Sequence, residues 1–229
     1  MKRAFFVTGT DTDIGKTTVA AGLLHAARLR GLSTAAAKPV ASGCEPTSAG
    51  LRNGDALALQ AECQPPLPYE LINPFAFAPP IAPHVAAREA GMALDVPQLA
   101  TAVRRVLARG ADLTLVEGAG GWRVPLSDSA DLADLAVALR MPIILVVGLR
   151  LGCLNHALLT AEAIRADGLR LAGWVANEVD PGMARREENL QELNVRLGAP
   201  CLGRVPRLPC AEAARVAPCL DLEALLDDG

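Results

Sequence analysis

Short apolar runs alternate along the chain with longer segments whose apolar residues recur at helical spacing. The runs at 4–8, 34–40, 113–117, 143–147, 171–177 and 201–205 have strand length. Stretches such as IILVV show no in/out alternation, which predicts strands covered on both faces. Between them, 19–30, 96–107, 132–139, 154–166 and 185–197 predict amphipathic helices; in the fourth, Leu154, Ala157, Leu158 and Ala161 fall on one face. Strand and helix in strict alternation predict a doubly wound, mainly parallel α/β sheet with helices on both faces. The Pro-rich stretch 64–83 cannot be regular throughout, because proline fixes its own φ and restricts the residue before it, so it reads as a covering loop. The tail LDLEALLDD reads as a short acidic helix or a frayed end.

The strongest chemical signal lies between the first strand and the first helix, in Gly9-Thr-Asp-Thr-Asp-Ile-Gly-Lys-Thr17. Backbone amides and a helix N-terminus there can cradle phosphates, with Lys16 reaching the β and γ groups and the Thr17 hydroxyl facing Mg²⁺. Five residues rather than the usual four separate the two glycines. An ordinary Gly-rich turn would leave the Lys-Thr-Thr run unexplained. Phosphoryl transfer also needs carboxylates. Glu117 closes the third strand ahead of Gly118-Ala119-Gly120, at the edge where such sheets bind ligands. Asp55, after Asn53-Gly54, reads equally as a metal ligand and as a helix cap. The second strand ends in Lys38-Pro-Val-Ala-Ser42, which puts Lys38 and Ser42 at the same edge, where Lys38 can hold developing negative charge. The helix start at Gly152–Asn155 can hold a carboxylate, with a plain N-cap by Asn155 as the rival reading. His156 reads as packing or surface, and His25 and His84 have no sequence neighbour that would make a dyad.

Composition narrows the partners. The 229 residues carry 22 Lys and Arg against 25 Asp and Glu, a net charge of −3, which exerts no pull on nucleic acid or anionic membrane. Mean hydropathy is +0.27, yet the greasiest segment is broken by Asp134, Arg140 and Pro142, so no spanning helix is expected. The amino-terminal MKRAFF turns polar at Thr8, too soon for a secretory signal, and the chain reads as cytoplasmic. Aromatic residues make up 3%, so the core must rest on Leu, Val, Ile and Ala. The six cysteines form no CxxC pair and read as reduced, buried thiols. A single domain over 1–229 is expected.

Taken together, FVTGTDTDIGKT, KPVASG, LRNGDALALQ, VEGAGGW, PLSD, ILVVGLRLGCLNHALLTA, LAGWVAN and LGRVP resemble the dethiobiotin synthetase family, in that family's order, from residue 5 to about 206. The resemblance implies a single P-loop NTPase-type domain, a homodimer, and ligase activity in biotin biosynthesis. ATP and Mg²⁺ are implied as co-substrate and cofactor, and 7,8-diaminopelargonic acid and CO₂ as substrates. It makes Lys16 and Lys38 the catalytic cations and Thr17, Asp55 and Glu117 the Mg²⁺ ligands. Asp13, Ile14, Gly15, Lys16, Thr17 and Thr18 would cradle the phosphates. Gly118, Ala119, Gly120, Asn177, Pro206, Arg207 and Leu208 would complete the ATP site, the last four around adenine. Thr12, Lys38 and Ser42 would contact the diamine and its carbamate. Gly152, Cys153, Leu154 and Asn155 would bind the substrate carboxylate from the neighbouring subunit. Asn189 and Arg207 depart from the family pattern, standing where a member has Tyr and Trp.

Two other classes compete. A ParA- or MinD-like switch ATPase shares the P-loop, but such proteins carry a second lysine early in that loop, where this chain has Thr10 and Asp11. The MinD-type membrane helix is basic, whereas the tail here is acidic. A glutamine-fed amidoligase would need a glutaminase domain for which no segment remains.

Overall fold

The computed structural model describes residues 2–226. Six strands form one wholly parallel sheet: β1 (Arg3–Gly9), β2 (Thr34–Ala37), β3 (Leu113–Glu117), β4 (Ile143–Leu149), β5 (Leu171–Glu178) and β6 (Cys201–Val205), in the spatial order β6-β5-β4-β1-β3-β2. Every residue of β3 and β4 is buried, so helices cover both faces and the unalternated apolar runs are explained. Six helices of eight or more residues lie among the described residues: α1 (Lys16–Leu29), α2 (Gly54–Ala61), α3 (Val96–Leu107), α4 (Leu132–Leu139), α5 (Cys153–Ala166) and α6 (Arg186–Arg196). The core is chiefly aliphatic, with Phe6 and Trp122 meeting edge to face at 6.3 Å.

The chain leaves β1 to form β2 two places away, returns to insert β3 between them, and then crosses to β4 on the far side of β1. That reversal opens a crevice at the carboxyl ends of the strands, where an open α/β sheet receives ligands.

Several boundaries differ from the sequence reading. The strand expected over 34–40 stops at Ala37, because Pro39 has no N–H and the Lys38 N–H turns away to donate to the Ile72 carbonyl at 2.8 Å. The stretch 64–83 is more than a cover: it holds a helical turn at Tyr69–Ile72 and a strand, Phe75–Ala76, that pairs with Val40–Ala41. All six cysteines are free, as expected, but only Cys44, Cys63 and Cys153 are buried; Cys201 and Cys210 are exposed. Burial pushes the Cys63 thiol up to about 11. Among the described residues no helix is long and apolar enough to cross a membrane. Part of the acidic tail is helical, at Glu223–Leu226, and its last acids, 227 and 228, lie outside the described residues.

The segment beyond Pro209 docks on α1. A Cβ added at Gly22 would lie 2.6 Å from Val216 Cγ1, so a residue that ordinarily weakens a helix is needed here for close approach. Gly22→Leu is expected to displace Ala213–Val216 and cost about 1–3 kcal/mol by overpacking; urea denaturation would measure the loss.

Candidate active site

The P-loop is anchored from below. Ile14 is fully buried, and Gly9 and Gly148 make room for it: a Cβ at either would come within 2.7 or 2.6 Å of its side chain. The β4–β5 register sets Asn177 beside Gly148, from where its Nδ2 donates to the Ile14 carbonyl at 2.7 Å. A Cβ at Gly15 would collide with that amide at 2.2 Å, and Gly15 holds φ 86°, so glycine is required on two counts. Asp13 also takes the left-handed conformation, at φ 55°. Successive left-handed and helical residues turn backbone N–H groups inward, the geometry that cradles phosphate.

Beside the loop, the parallel register puts Glu117 across from Val7, two residues before Gly9. Glu117 is buried, and its Oε1 accepts from Thr17 Oγ1 at 2.8 Å and from Lys38 Nζ at 2.6 Å. Lys38, also buried, donates a second bond to Asp55 Oδ2 at 2.6 Å. Burial acts to lower the Lys38 pKa, but the charges of Glu117 and Asp55 outweigh it and hold the ammonium above the ordinary lysine range. Burial likewise acts to raise Asp55, and Lys38 overrides it and draws the carboxyl below its usual range. Lys16 goes the other way: burial dominates and lowers it, against the opposing charge of Glu117. The Lys16 Nζ donates to the Asp11 carbonyl at 2.8 Å, and the Asp11 carboxylate pairs with Arg150 from the loop ahead of α5.

The second oxygen of Glu117, Oε2, is buried and has no hydrogen-bond partner. An orphaned carboxylate oxygen beside Thr17 Oγ1 and Asp55 is the donor chemistry a small hard cation takes, so these three residues fit Mg²⁺. Among the described residues no group of three or more His, Cys, Asp or Glu is placed to hold a metal ion by itself.

Asp55 is free for this role because it is not the cap. Asn53, in extended backbone, caps α2 by accepting from the Ala56 N–H at 3.2 Å. The Pro-rich segment then ties the two corners together. The Tyr69 hydroxyl accepts from the Asn53 N–H at 2.7 Å and donates to Asn73 Oδ1 at 3.0 Å, while Asn73 Nδ2 donates to the Lys38 carbonyl at 2.7 Å. Tyr69 and Asn73 are both buried. Sequence reasoning missed both residues; an Asn directly ahead of a helix was the one legible sign of the Asn53 cap.

These groups open into a cavity of about 900 Å³. Thr12, Asp13, Gly15, Lys16, Thr17, Thr18, Lys38, Ser42, Asp55, Glu117, Ala119 and Gly120 line it, together with Pro80 to Pro83. Ile14, Gly118 and Asn177 are not in the lining; Asn177 and Ile14 brace the P-loop, and Gly118 packs near Phe6 and Leu132.

Comparison with known proteins places this geometry. A family model described as an AAA domain matches residues 3–215. The ATP-dependent dethiobiotin synthetase of Pseudomonas aeruginosa (strain UCBPP-PA14) is 70% identical over 222 residues, 97% of each chain. The chain belongs to the dethiobiotin synthetase family. The corresponding protein of Cellvibrio japonicus (strain Ueda107) is 61% identical over 226 residues, 99% of each chain. Among solved structures, the MinC:MinD cell division protein complex of Aquifex aeolicus matches with TM-score 0.64 at 16% identity, over 99% of this chain and 96% of that one. A ParA family ATPase from Chlorobium tepidum TLS matches with TM-score 0.56 at 14% identity, over 100% and 95%. These two show the fold alone.

The remaining residues that the family resemblance singled out lie outside this cavity. Pro206, Arg207 and Leu208 follow β6 at the same sheet edge as the P-loop. Gly152, not Asn155, is the N-cap of α5, so Asn155 sits exposed inside the first turn. The Cys153 N–H is taken by the Arg150 carbonyl at 3.0 Å. Asn189 donates to the Arg185 carbonyl at 2.7 Å and closes the start of α6. His25, without a sequence neighbour for a dyad, meets Glu62 at 3.0 Å away from the cavity, and His156 is exposed.

Tyr69→Phe leaves the Asn53 N–H and Asn73 Oδ1 without their shared partner in a buried position. The expected loss is about 1–3 kcal/mol of stability, with a fall in turnover as Lys38 and Asp55 lose their fixed spacing; thermal unfolding and steady-state kinetics of the purified variant would check both.

Proposed function

We propose that this chain converts 7,8-diaminopelargonic acid, CO₂ and ATP into dethiobiotin, ADP and phosphate. What most supports the reading, beside family membership, is that one cavity holds a P-loop lysine, a second lysine and three oxygen donors around Glu117.

The physical difficulty is to bring an anionic carbamate against an anionic phosphate. One amine of the diamine attacks CO₂, forming an N–C bond and releasing a proton. A carbamate oxygen then attacks the γ-phosphorus, the bond to the β-phosphate oxygen breaks, and ADP leaves. The second amine attacks the carbonyl carbon of the resulting mixed anhydride, phosphate departs with the C–O electrons, a proton is lost, and the five-membered urea closes. Lys16 leaves the Asp11 carbonyl for the phosphates, and the P-loop amides of Asp13 to Thr18 hold them in line. Lys38 and Ser42 hold the carbamate, Thr12 orients the diamine, and Asn177 with Pro206 to Leu208 surrounds the adenine. Mg²⁺ held by Thr17, Asp55 and Glu117 supplies charge stabilisation on the phosphate oxygens when bound. Pro80 to Pro83 wall off water on the substrate side. The chemistry rests on positioning and charge, with no covalent enzyme intermediate.

A homodimer completes the site in this reading. Leu151 and Leu159 are 92% and 57% exposed beside the start of α5, an apolar surface without a partner in its own chain. Gly152, Cys153, Leu154 and Asn155 would pass with that surface into the neighbouring cavity and bind the substrate carboxylate.

Phosphate release that depends on the diamine, matched by dethiobiotin in mass spectrometry, is the expected result; release indifferent to the diamine without product would sink the reading. Lys38→Ala should keep ATP affinity and lose turnover, since the P-loop is untouched. Mixing the Lys38→Ala and Asn155→Ala proteins should restore up to about a quarter of the wild-type rate if the site spans the interface, because half the dimers then hold one intact site.

A further inference from the structure

Lys38 stands against the same two carboxylates that a divalent cation would take. Its Nζ lies 2.6 Å from Asp55 Oδ2 and 2.6 Å from Glu117 Oε1, and Glu117 Oε1 also accepts from Thr17. Two carboxylates converging on one point need a counter-charge. Lys16 also acts on both carboxylates through its charge, but its ammonium is bonded to the Asp11 carbonyl. An ammonium and a dication held by the same two carboxylates repel each other at so short a separation.

The backbone of Lys38 is clamped by two bonds of its own, while its ammonium is held by the two carboxylates. Its N–H donates to Ile72 at 2.8 Å and its carbonyl accepts from Asn73 at 2.7 Å. The side chain, with its rotatable four-carbon stem, borders the open cavity beside Ser42. Its ammonium can therefore leave the carboxylates without any movement of the sheet, and the space open to it is the space where substrate must sit.

We propose that Lys38 is the resident counter-cation of the Asp55–Glu117 pair, and that the divalent cation displaces its ammonium into the cavity. Metal loading and delivery of Lys38 to the reacting anions are then a single event. The inference rests on the reading of Thr17, Asp55 and Glu117 as the metal's donors. It makes the protein without nucleotide a poor binder of free metal, and it has the metal enter with the nucleotide phosphates, whose oxygens compensate for eviction of the lysine.

Mn²⁺ is the probe, with the free ion counted by electron paramagnetic resonance in wild type and Lys38→Met, each with and without ADP. Without nucleotide, Lys38→Met is expected to bind Mn²⁺ at least about tenfold more tightly than wild type. Equal or weaker binding by the variant, with Mn²⁺ taken up by both proteins once ADP is present, overturns the displacement and leaves the donor set standing. No uptake by either protein in the presence of ADP overturns the donor set itself. A second readout needs no substitution: trace acetylation of the wild type, followed by peptide mass spectrometry, should show Lys38 several-fold more reactive with Mn²⁺ and ADP than with ADP alone. Unchanged reactivity of Lys38 overturns the proposal.

Discussion

A single ammonium shared by two carboxylates, Lys38 between Asp55 and Glu117, is the constraint the surrounding elements serve. Removing the Lys38 and Glu117 charges from water is costly, and their attraction, with that of half-exposed Asp55, offsets that cost only if spacing is tight and the other polar groups are paired. Each member arrives on a different element. Glu117 ends the buried strand β3, Asp55 sits in the first turn of α2, and Lys38 leaves the end of β2. A shift of an ångström in β2 or β3 would strand a buried charge. The Tyr69–Asn73–Asn53 network fixes the two corners that the sheet does not, which gives the Pro-rich segment a structural purpose besides covering.

The parallel sheet makes this convergence possible. All six strands point the same way, so the loops that follow them gather at one edge, and β1, β2 and β3 bring the P-loop, Lys38 and Glu117 together there. The same edge leaves the P-loop braced by hydrophobic contact: Ile14 sinks between Gly9 and Gly148 while the loop's amides face the cavity. A fold of this kind hosts many functions, and what sets this site apart is the second lysine and the orphaned Glu117 oxygen, not the sheet.

The six main strands were legible because a strand buried on both faces reads as an unbroken apolar run, and the P-loop was legible because its function demands fixed residue types at short spacing. The elements that misled were those decided by a hydrogen bond made elsewhere. Residues 34–40 look like one strand, yet the Lys38 N–H bonds to Ile72, more than thirty positions on. Asp55 and Asn53 are both able caps, and only the extended backbone at Asn53 chooses between them. Asn155 looks like a cap, but Gly152 in the left-handed conformation already serves. Tyr69 and Asn73 carried no local signal, since the partners that give them a role, Asn53 and Lys38, come from two other segments.

The sequence by itself determined the α/β class, the phosphate-binding loop and the identity of the charged residues at the sheet edge, because these follow from local periodicity and short motifs. Only the tertiary structure decided that Lys38 lies between Asp55 and Glu117, that Asn53 rather than Asp55 caps α2, and that Pro80 to Pro83 wall the cavity. Distances between side chains far apart in sequence depend on strand order and register, and strand order is set by how the helices pack over the whole sheet, which no local stretch of residues contains.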